Sequence, residues 1–520
     1  MRLLRSTAVI GILTMGSRVL GLVREMLLAA ALGAGPIAEA FVVAFRFPNL
    51  FRRFFAEGAF NSAFVPLYAR RMEAEGEASA RNFAREVMSV LLVVLSVLTI
   101  IAELSMPWIM RALAPGFLDD PGKFELTVVF TQITMPYLML MSLTAMMGGV
   151  LNAHGRFALA AAAPILLNIV LVAILATAPD DEIATGYRLT IGVTLSGVLQ
   201  ALLLWWGCKR AGIGFPLRWP RLTPGVKRLF VLGVPGAIAA GVTQINITIS
   251  QIIASLQDGA VALLYFADRL YQLPLGVIGI AMGVALLPAL SKRLGAGDDQ
   301  GAANAMNRAL EISMGLTLPA TIALLVMPNF LVEGLFMRGA FTAENANATA
   351  LAVQAFAVGL PAFVLIKVFS PGFFAREDTA TPMKFAAFSM LANIIVGAGL
   401  FFYIRQTHPD LGHVGLAAAT SLAGWINALM LGWRLTQKGG LSFDRRLMGR
   451  LPSLLVSAVA MGGFVAFASS HADTVTRHAL DSRFFAVAIV SLGGLAFYGL
   501  FAMITGAIRI SELRDAFSRG

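Results

Sequence analysis

Charge is scarce in this chain. Only 13% of its 520 residues are Asp, Glu, Lys or Arg, while 58% are hydrophobic. A soluble domain carries about 25% charge, so the composition excludes an ordinary water-exposed surface and indicates an integral membrane protein. Cysteine is almost absent. The single Cys208 excludes an internal disulfide framework and any zinc or iron–sulfur site built on cysteines. His154, His408, His413, His471 and His478 all fall between apolar segments, which argues against a buried metal centre. There is no G-x-x-x-x-G-K-[ST] run, so ATP is not bound through a phosphate loop. Neither a metal nor a cofactor is expected. What the chain does have, 50 glycines and 22 prolines, suits packed and interrupted membrane helices.

A helix needs about 20 apolar residues to cross a bilayer. Reading for such runs predicts an all-α membrane protein with about fourteen spans, near 7–32, 38–67, 84–110, 127–151, 157–178, 186–207, 226–254, 260–290, 308–332, 348–374, 382–404, 413–433, 448–469 and 484–508. The second and eighth are over-long and contain Pro48 and Pro274, where a kink or an interfacial turn is expected. Lys and Arg concentrate in alternate connections. The base-rich set holds Arg70, Arg71, Arg81 and Arg85, then Lys209 and Arg210, Lys292 and Arg293, Arg376 and Lys384, and Arg445, Arg446 and Arg450. The opposite set is acidic, with Asp119 and Asp120, Asp180 to Glu182, and Asp473. By the positive-inside rule both termini are expected in the cytoplasm. The net charge of +11 is spread over many short loops rather than one face, which excludes a nucleic-acid partner. Arg18 and Arg24 interrupt what would be the apolar stretch of a cleaved signal peptide.

The chain also repeats itself. "AFVVAFRFPNLFRRFFAEGAFNSAFVPLYARRM" from Ala40 resembles "ALLYFADRLYQLPLGVIGIAMGVALLPALSKRL" from Ala262, an offset of about 222 residues. "LNAHGRFALAAAAPILLNIVL" from Leu151 pairs with "FFAREDTATPMKFAAFSMLANIIV" from Phe373 at the same offset. Two homologous six-helix bundles are therefore expected, over about 1–210 and 223–436, around a central cavity. Two further helices, within 445–510, lie outside the repeat. Paired bundles suit a transporter that opens to alternate sides.

Ionisable residues inside spans are costly, about 2.5–3.5 kcal/mol each at a helix centre on insertion scales, and mark function. The first span carries Arg18, Arg24 and Glu25. The second has Glu39, Arg46 and Arg53 at a spacing of seven, so on one stripe, with Asn49, Arg52 and Glu57 beside it. The eighth adds Asp268, Arg269 and Gln272. Arg52 and Arg53 could instead snorkel to an interface, and Asp268 and Arg269 could simply neutralise one another. Taken together, arginine outnumbers carboxylate in this set. Guanidinium is always charged and matches phosphate oxygens bidentately, so the expected cargo is an anion, most plausibly a phosphate or diphosphate. A membrane-embedded glycosyltransferase or polymerase would instead need a catalytic acid or base. Asp473 and His471 form the one loosely suitable cluster.

These residues carry a resemblance. "TMGSRVLGLVREMLLAAALGAG", "AEAFVVAFRFPNLFRRFFAEGAFNSAFVPLYA", "YFADRLYQLPLGVIGIAMGVALLPALSK" and "FFAREDTATP" resemble the MurJ (MviN) lipid II flippase family of the multidrug/oligosaccharidyl-lipid/polysaccharide exporter superfamily, over essentially the whole chain. The resemblance implies flipping of lipid II between leaflets for cell-wall synthesis, with no catalytic residue. It implies lipid II, membrane lipids and peptidoglycan synthesis proteins as partners. It assigns the substrate's diphosphate to Arg18, Arg24, Glu25, Arg52 and Arg269, with Glu39 as the acid of the second span. Some members have an acid where Gln272 stands. Others hold sodium on acids of the seventh and eleventh spans, where this chain has Gln244, Asn246 and Asn393. The last two helices would form a groove for the lipid tail. The driving force is expected from the membrane potential or an ion gradient. The alternatives are a flippase for another polyprenyl-diphosphate glycan and an exporter of the multidrug (MATE) type.

Overall fold

A computed structural model describes residues 2–52, 63–216, 219–479 and 481–507, and no strand occurs among them. The first part of the chain forms α1 (Arg2–Leu32), α2 (Pro36–Arg52), α3 (Val65–Ala74), α4 (Glu77–Leu104), α5 (Met106–Leu113), α6 (Pro121–Thr134), α7 (Pro136–Ala153), α8 (Phe157–Ala176), α9 (Glu182–Arg210) and α10 (Pro224–Ala254). The rest forms α11 (Ala260–Gly295), α12 (Asp299–Val326), α13 (Pro328–Phe336), α14 (Ala343–Phe374), α15 (Ala380–Thr407), α16 (Gly412–Gln437), α17 (Arg445–Ser470), α18 (Ala472–His478) and α19 (Arg483–Ile504).

The expected spans fall on one of these helices or on a consecutive pair, except that the middle of the second, 53–62, lies outside the described residues. Among the described residues, ten segments are long and apolar enough to cross a membrane, which makes this a multi-pass membrane protein. Three expected spans are broken in the same way, where α5, α7 and α13 follow α4, α6 and α12. Each second helix has a proline in its first turn, Pro107, Pro136 or Pro328. Proline fits there because its missing N–H would have had no helical partner. Pro274, by contrast, is carried inside the 36-residue α11, and no turn breaks that helix.

Contacts divide the chain into two compact units, 1–262 with 338–341, and 263–337 with 342–520. In the first, α8 packs on α1 and α9, α6 on α2, and α10 on α4 and α5. Phe64, Tyr68, Phe83, Met146, Leu204 and Cys208 are buried together where α4, α7 and α9 meet. In the second, α14 and α15 both pack on α16, and α12 packs on α14 and α17. A Cβ on Gly359 would lie 2.7 Å from the Ser421 Cα, so α14 and α16 meet backbone to backbone. A separate core, including Phe330, Leu454, Met461 and Tyr498, holds α17 and α19 against α12 and α13. Outward residues such as Ile395, Leu429 and Phe467 are exposed. That is the expected face toward lipid, where apolar side chains need no cover.

One local backbone geometry ends both α7 and α14. After α7, the Arg156 N–H bonds Leu151 O (2.9 Å) and the Gly155 N–H bonds Asn152 O (3.0 Å). After α14, the Asp378 N–H bonds Phe373 O (3.1 Å) and the Glu377 N–H bonds Phe374 O (3.0 Å). These are the same helix-ending turn at the same offset. It needs a left-handed residue, supplied by Gly155 at φ 72° and by Glu377 at φ 60°.

Candidate functional site

Arg18 sits half-buried on α1. One turn and a half further on, Arg24 is pinned from three sides. Its Nη1 donates to Asn168 Oδ1 on α8 (3.0 Å), its Nη2 pairs with Glu25, and its guanidinium lies 5.5 Å from the Phe45 ring centroid on α2. Asn168 is itself anchored, donating through Nδ2 to Ser17 O (2.9 Å). The side chain of Glu25 is 3% exposed and that of Arg24 11%. A guanidinium held by a neutral acceptor and an aromatic face, with one carboxylate beside it, is pre-oriented rather than free to snorkel.

On α2 the expected stripe separates. Glu39 is fully buried, where it accepts from Lys123 Nζ of α6 (2.5 Å) and from the Val261 N–H that opens α11 (2.9 Å). Lys123 also reaches Asp258 Oδ1 (3.2 Å) and lies 4.1 Å from the Phe117 ring centroid. Glu39 is therefore a member of a closed ion cluster. Asn49 turns back to donate to Phe45 O (2.8 Å), and Arg46 is half-buried. Arg52 closes α2; its side chain, together with Arg53 and Glu57, lies outside the described residues.

On α11 the adjacent pair Asp268 and Arg269 leans opposite ways. The Arg269 guanidinium lies 4.7 Å from the Tyr265 ring centroid, one turn back. Asp268 accepts from Gln272 Nε2 one turn forward.

The largest ionic assembly among the described residues was not foreseen. Glu311, on α12, accepts from Arg308 and from Arg450, and takes the Arg446 fork through Nε and Nη2, both at 3.2 Å. Arg308 also pairs with Asp444, which caps α17 by accepting from Leu447 N–H (2.6 Å). Arg450 is 7% exposed and Glu311 9%. The "FFAREDTATP" block has a local explanation as well. Asp378 accepts from Lys438 Nζ (2.6 Å), Thr381 N (3.0 Å) and Thr381 Oγ1 (2.8 Å). The Lys438 hydrogen bond and those from Thr381 hold its carboxyl well below the usual carboxylate range. On the base-rich side of the first unit, His154 Nε2 lies 2.9 Å from the Tyr68 hydroxyl and Nδ1 3.6 Å from Glu77. Burial lowers its pKa despite the neighbouring Glu77. His471, considered for catalysis, ends α17, its Nδ1 3.0 Å from Phe467 O and its ring packed on Phe467.

Three partners escaped the sequence reading: Lys123, Asn168 and Glu311. Lys123 had a signal, being a lone base beside the acidic pair Asp119–Asp120 on the base-poor side. Asn168 had none within an apolar run.

A family profile described as lipid II flippase MurJ matches residues 28–482. A relative from Rhizobium meliloti (strain 1021), named probable lipid II flippase MurJ, is 46% identical over all of this chain and 97% of its own length. One from Burkholderia cenocepacia, named lipid II flippase MurJ, is 36% identical over 84% of this chain and 85% of its own. Among solved structures, a lipid II flippase MurJ in an inward closed conformation superposes with a TM-score of 0.78 at 23% identity, covering 95% of this chain and 98% of that one. An inward-facing multidrug resistance MATE family transporter of the MOP superfamily gives 0.64 at 16% identity, over 83% of this chain and 98% of that one. The fold is thus that of the MOP transporters, and the chain belongs to the MurJ lipid II flippase family.

Proposed function

We propose that this protein flips lipid II, the undecaprenyl-diphosphate disaccharide pentapeptide, from the cytoplasmic to the periplasmic leaflet of the bacterial inner membrane, with both termini in the cytoplasm. The observation that carries the reading is likeness along the entire chain to relatives that bear this name. Its body is two homologous six-helix bundles, 1–210 and 223–436, alternating between inward and outward openings, with 445–510 guiding the lipid tail. Arg18, Arg24, Arg52 and Arg269 recognise the diphosphate, and Glu25 orients Arg24. Arg46, Asn49, Arg53, Glu57, Asp268 and Gln272 line the path of the head group. Glu39, sealed against Lys123, acts on helix position rather than on the substrate. No covalent bond changes, so the protein is not an enzyme.

Support for an anionic cargo comes from the surplus of arginine over carboxylate in the first, second and eighth spans. The membrane potential, at about 2.3 kcal/mol per charge per 100 mV, or an ion gradient supplies direction. Lipid II and the surrounding lipids are the partners in this reading, together with proteins of peptidoglycan synthesis. The test is depletion in cells followed by leaflet-specific detection of lipid II. Outward appearance of the lipid should stop, and its persistence refutes the assignment. Exchanging Arg18 or Arg269 for Lys separates fork from charge, and undiminished transport would show that bidentate recognition is not used.

A further inference from the structure

Lys367 is the one ionisable residue between Glu344 and Arg376, in an otherwise apolar stretch of α14. It stands seven residues, about 10 Å, inside the Phe374 end of that helix, and it is exposed. Among the described residues its ammonium has no hydrogen bond or ion pair. The helix period gives its direction. Leu351 and Val358 are 39% and 50% exposed, and they lie sixteen and nine residues before Lys367, on the opposite side of α14. That apolar side suits lipid. Phe356 and Phe363, eleven and four residues before Lys367, share its side, and their rings meet Tyr271 of α11 at 4.8 Å and 5.8 Å. Lys367 thus stands on the side of α14 turned toward α11, away from the apolar side, where a buried-depth charge must have water or a ligand.

Its level along the helix is fixed as well. Ile278, Leu286 and Leu290, further along α11, share a core with Val364, Val368 and Phe373, so α11 and α14 run in the same direction. Tyr271 touches both Phe356 and Phe363 and so stands at the level midway between them. Arg269 is two residues before that level and Lys367 seven to eight beyond it, which separates them by about 14 Å along the helices. One diphosphate is too short to meet both. A pentapeptide reaches about 17 Å when extended and carries at least its terminal carboxylate.

We propose that Lys367 is a second binding residue for the same substrate, taking a carboxylate of the head group's peptide while Arg269 takes the diphosphate. This rests on the reading that lipid II is the cargo and that Arg269 meets its diphosphate. An ammonium is a compact point charge with three donors and needs no planar partner, so it can follow a peptide end that arrives at varied angles. Two anchors at different depths orient the head group as well as hold it. A polyprenyl diphosphate with a neutral glycan lacks the second anchor, so Lys367 contributes to specificity.

The test uses the full chain in nanodiscs, titrated separately with lipid II and with undecaprenyl diphosphate at fixed ionic strength. Lys367→Met should weaken lipid II roughly five- to ten-fold, the worth of one partly solvated charge-assisted bond, and leave undecaprenyl diphosphate within about two-fold. Retention of the second ligand also reports that the variant is folded. Lys367→Arg should keep most of the lipid II affinity. Lipid II with its peptide carboxylates amidated should bind wild type and Lys367→Met alike, at the weaker level. Unchanged lipid II binding by Lys367→Met, an equal loss of both ligands, or amidated lipid II held by wild type as tightly as the native lipid overturns the proposal and leaves the substrate reading intact. A wild type that holds neither ligand, or an Arg269→Ala variant that holds undecaprenyl diphosphate as well as wild type, refutes the substrate reading and this inference with it.

Discussion

Replacing Lys123 by Met is expected to be the most damaging single change in the first unit. The side chains of Lys123 and Glu39 are 2% and 1% exposed. Removing the ammonium strands a carboxylate away from water, with only the backbone N–H groups of Gly259 and Val261 in support. Breaking such a buried pair costs about 3–5 kcal/mol, whereas replacing both members with apolar groups is often neutral. The chain supplies its own reporter. Cys208 is its single cysteine and is buried between α7 and α9 of the same unit. Its labelling by a thiol-reactive dye under mild denaturant follows the population of the opened unit. Lys123→Met should accelerate labelling by roughly two to three and a half orders of magnitude, and Lys123→Met with Glu39→Leu should recover most of that. Labelling of the single variant within three-fold of wild type, or a double variant as fast as the single, would refute the argument that the pair is sealed and mutually dependent.

Glu311→Gln should destabilise the second unit by about 3 kcal/mol, because Arg308, Arg446 and Arg450 would lose the carboxylate they share; a drop in the denaturation midpoint checks it, and adding Arg450→Leu should recover part. Glu377→Gly should stabilise by about 0.5–1 kcal/mol, since φ 60° is a position where glycine carries no Cβ strain; the reverse sign in a thermal scan would count against it. His154 has a pKa lowered from 6.5, so the folded chain resists the proton that the unfolded chain accepts. Its contribution to stability is therefore complete above about pH 6.5 and is lost as pH falls below that, through the depressed value. The stability difference between wild type and His154→Asn should narrow over that range, and a difference that is flat from pH 7.5 to 5 would show that His154 does not titrate as its burial requires.

The overall architecture was readable because a bilayer imposes a length and a polarity that composition cannot hide. The predicted apolar runs fall on helix wherever the residues are described. Helix breaks were harder to see. Pro107, Pro136 and Pro328 each divide what hydropathy joins, because apolar character continues across the joint. In the candidate site, periodicity put Glu39, Arg46 and Arg53 on one stripe, but spacing along a single helix says nothing about what packs against it. The partner of Glu39 comes from α6, 84 residues further along. Asn168 was illegible for the same reason, as one amide in an apolar helix gains its meaning only from the Ser17 and Arg24 that face it. Arg446 and Arg450 were visible as loop charges, yet their shared acceptor lies on another span. Pairing across helices is a tertiary fact, and the sequence carries only the inventory from which pairs are drawn.

The three proline-led joints have a mechanical corollary. Flexing a continuous helix must rupture a backbone bond on the stretched side, whereas at Pro107, Pro136 and Pro328 that bond is absent from the outset. Rods α4–α5, α6–α7 and α12–α13 are thus articulated at set points. A protein that must swing between two shapes many times can take up the change in angle there, leaving the rest of each rod as stiff as its packing demands.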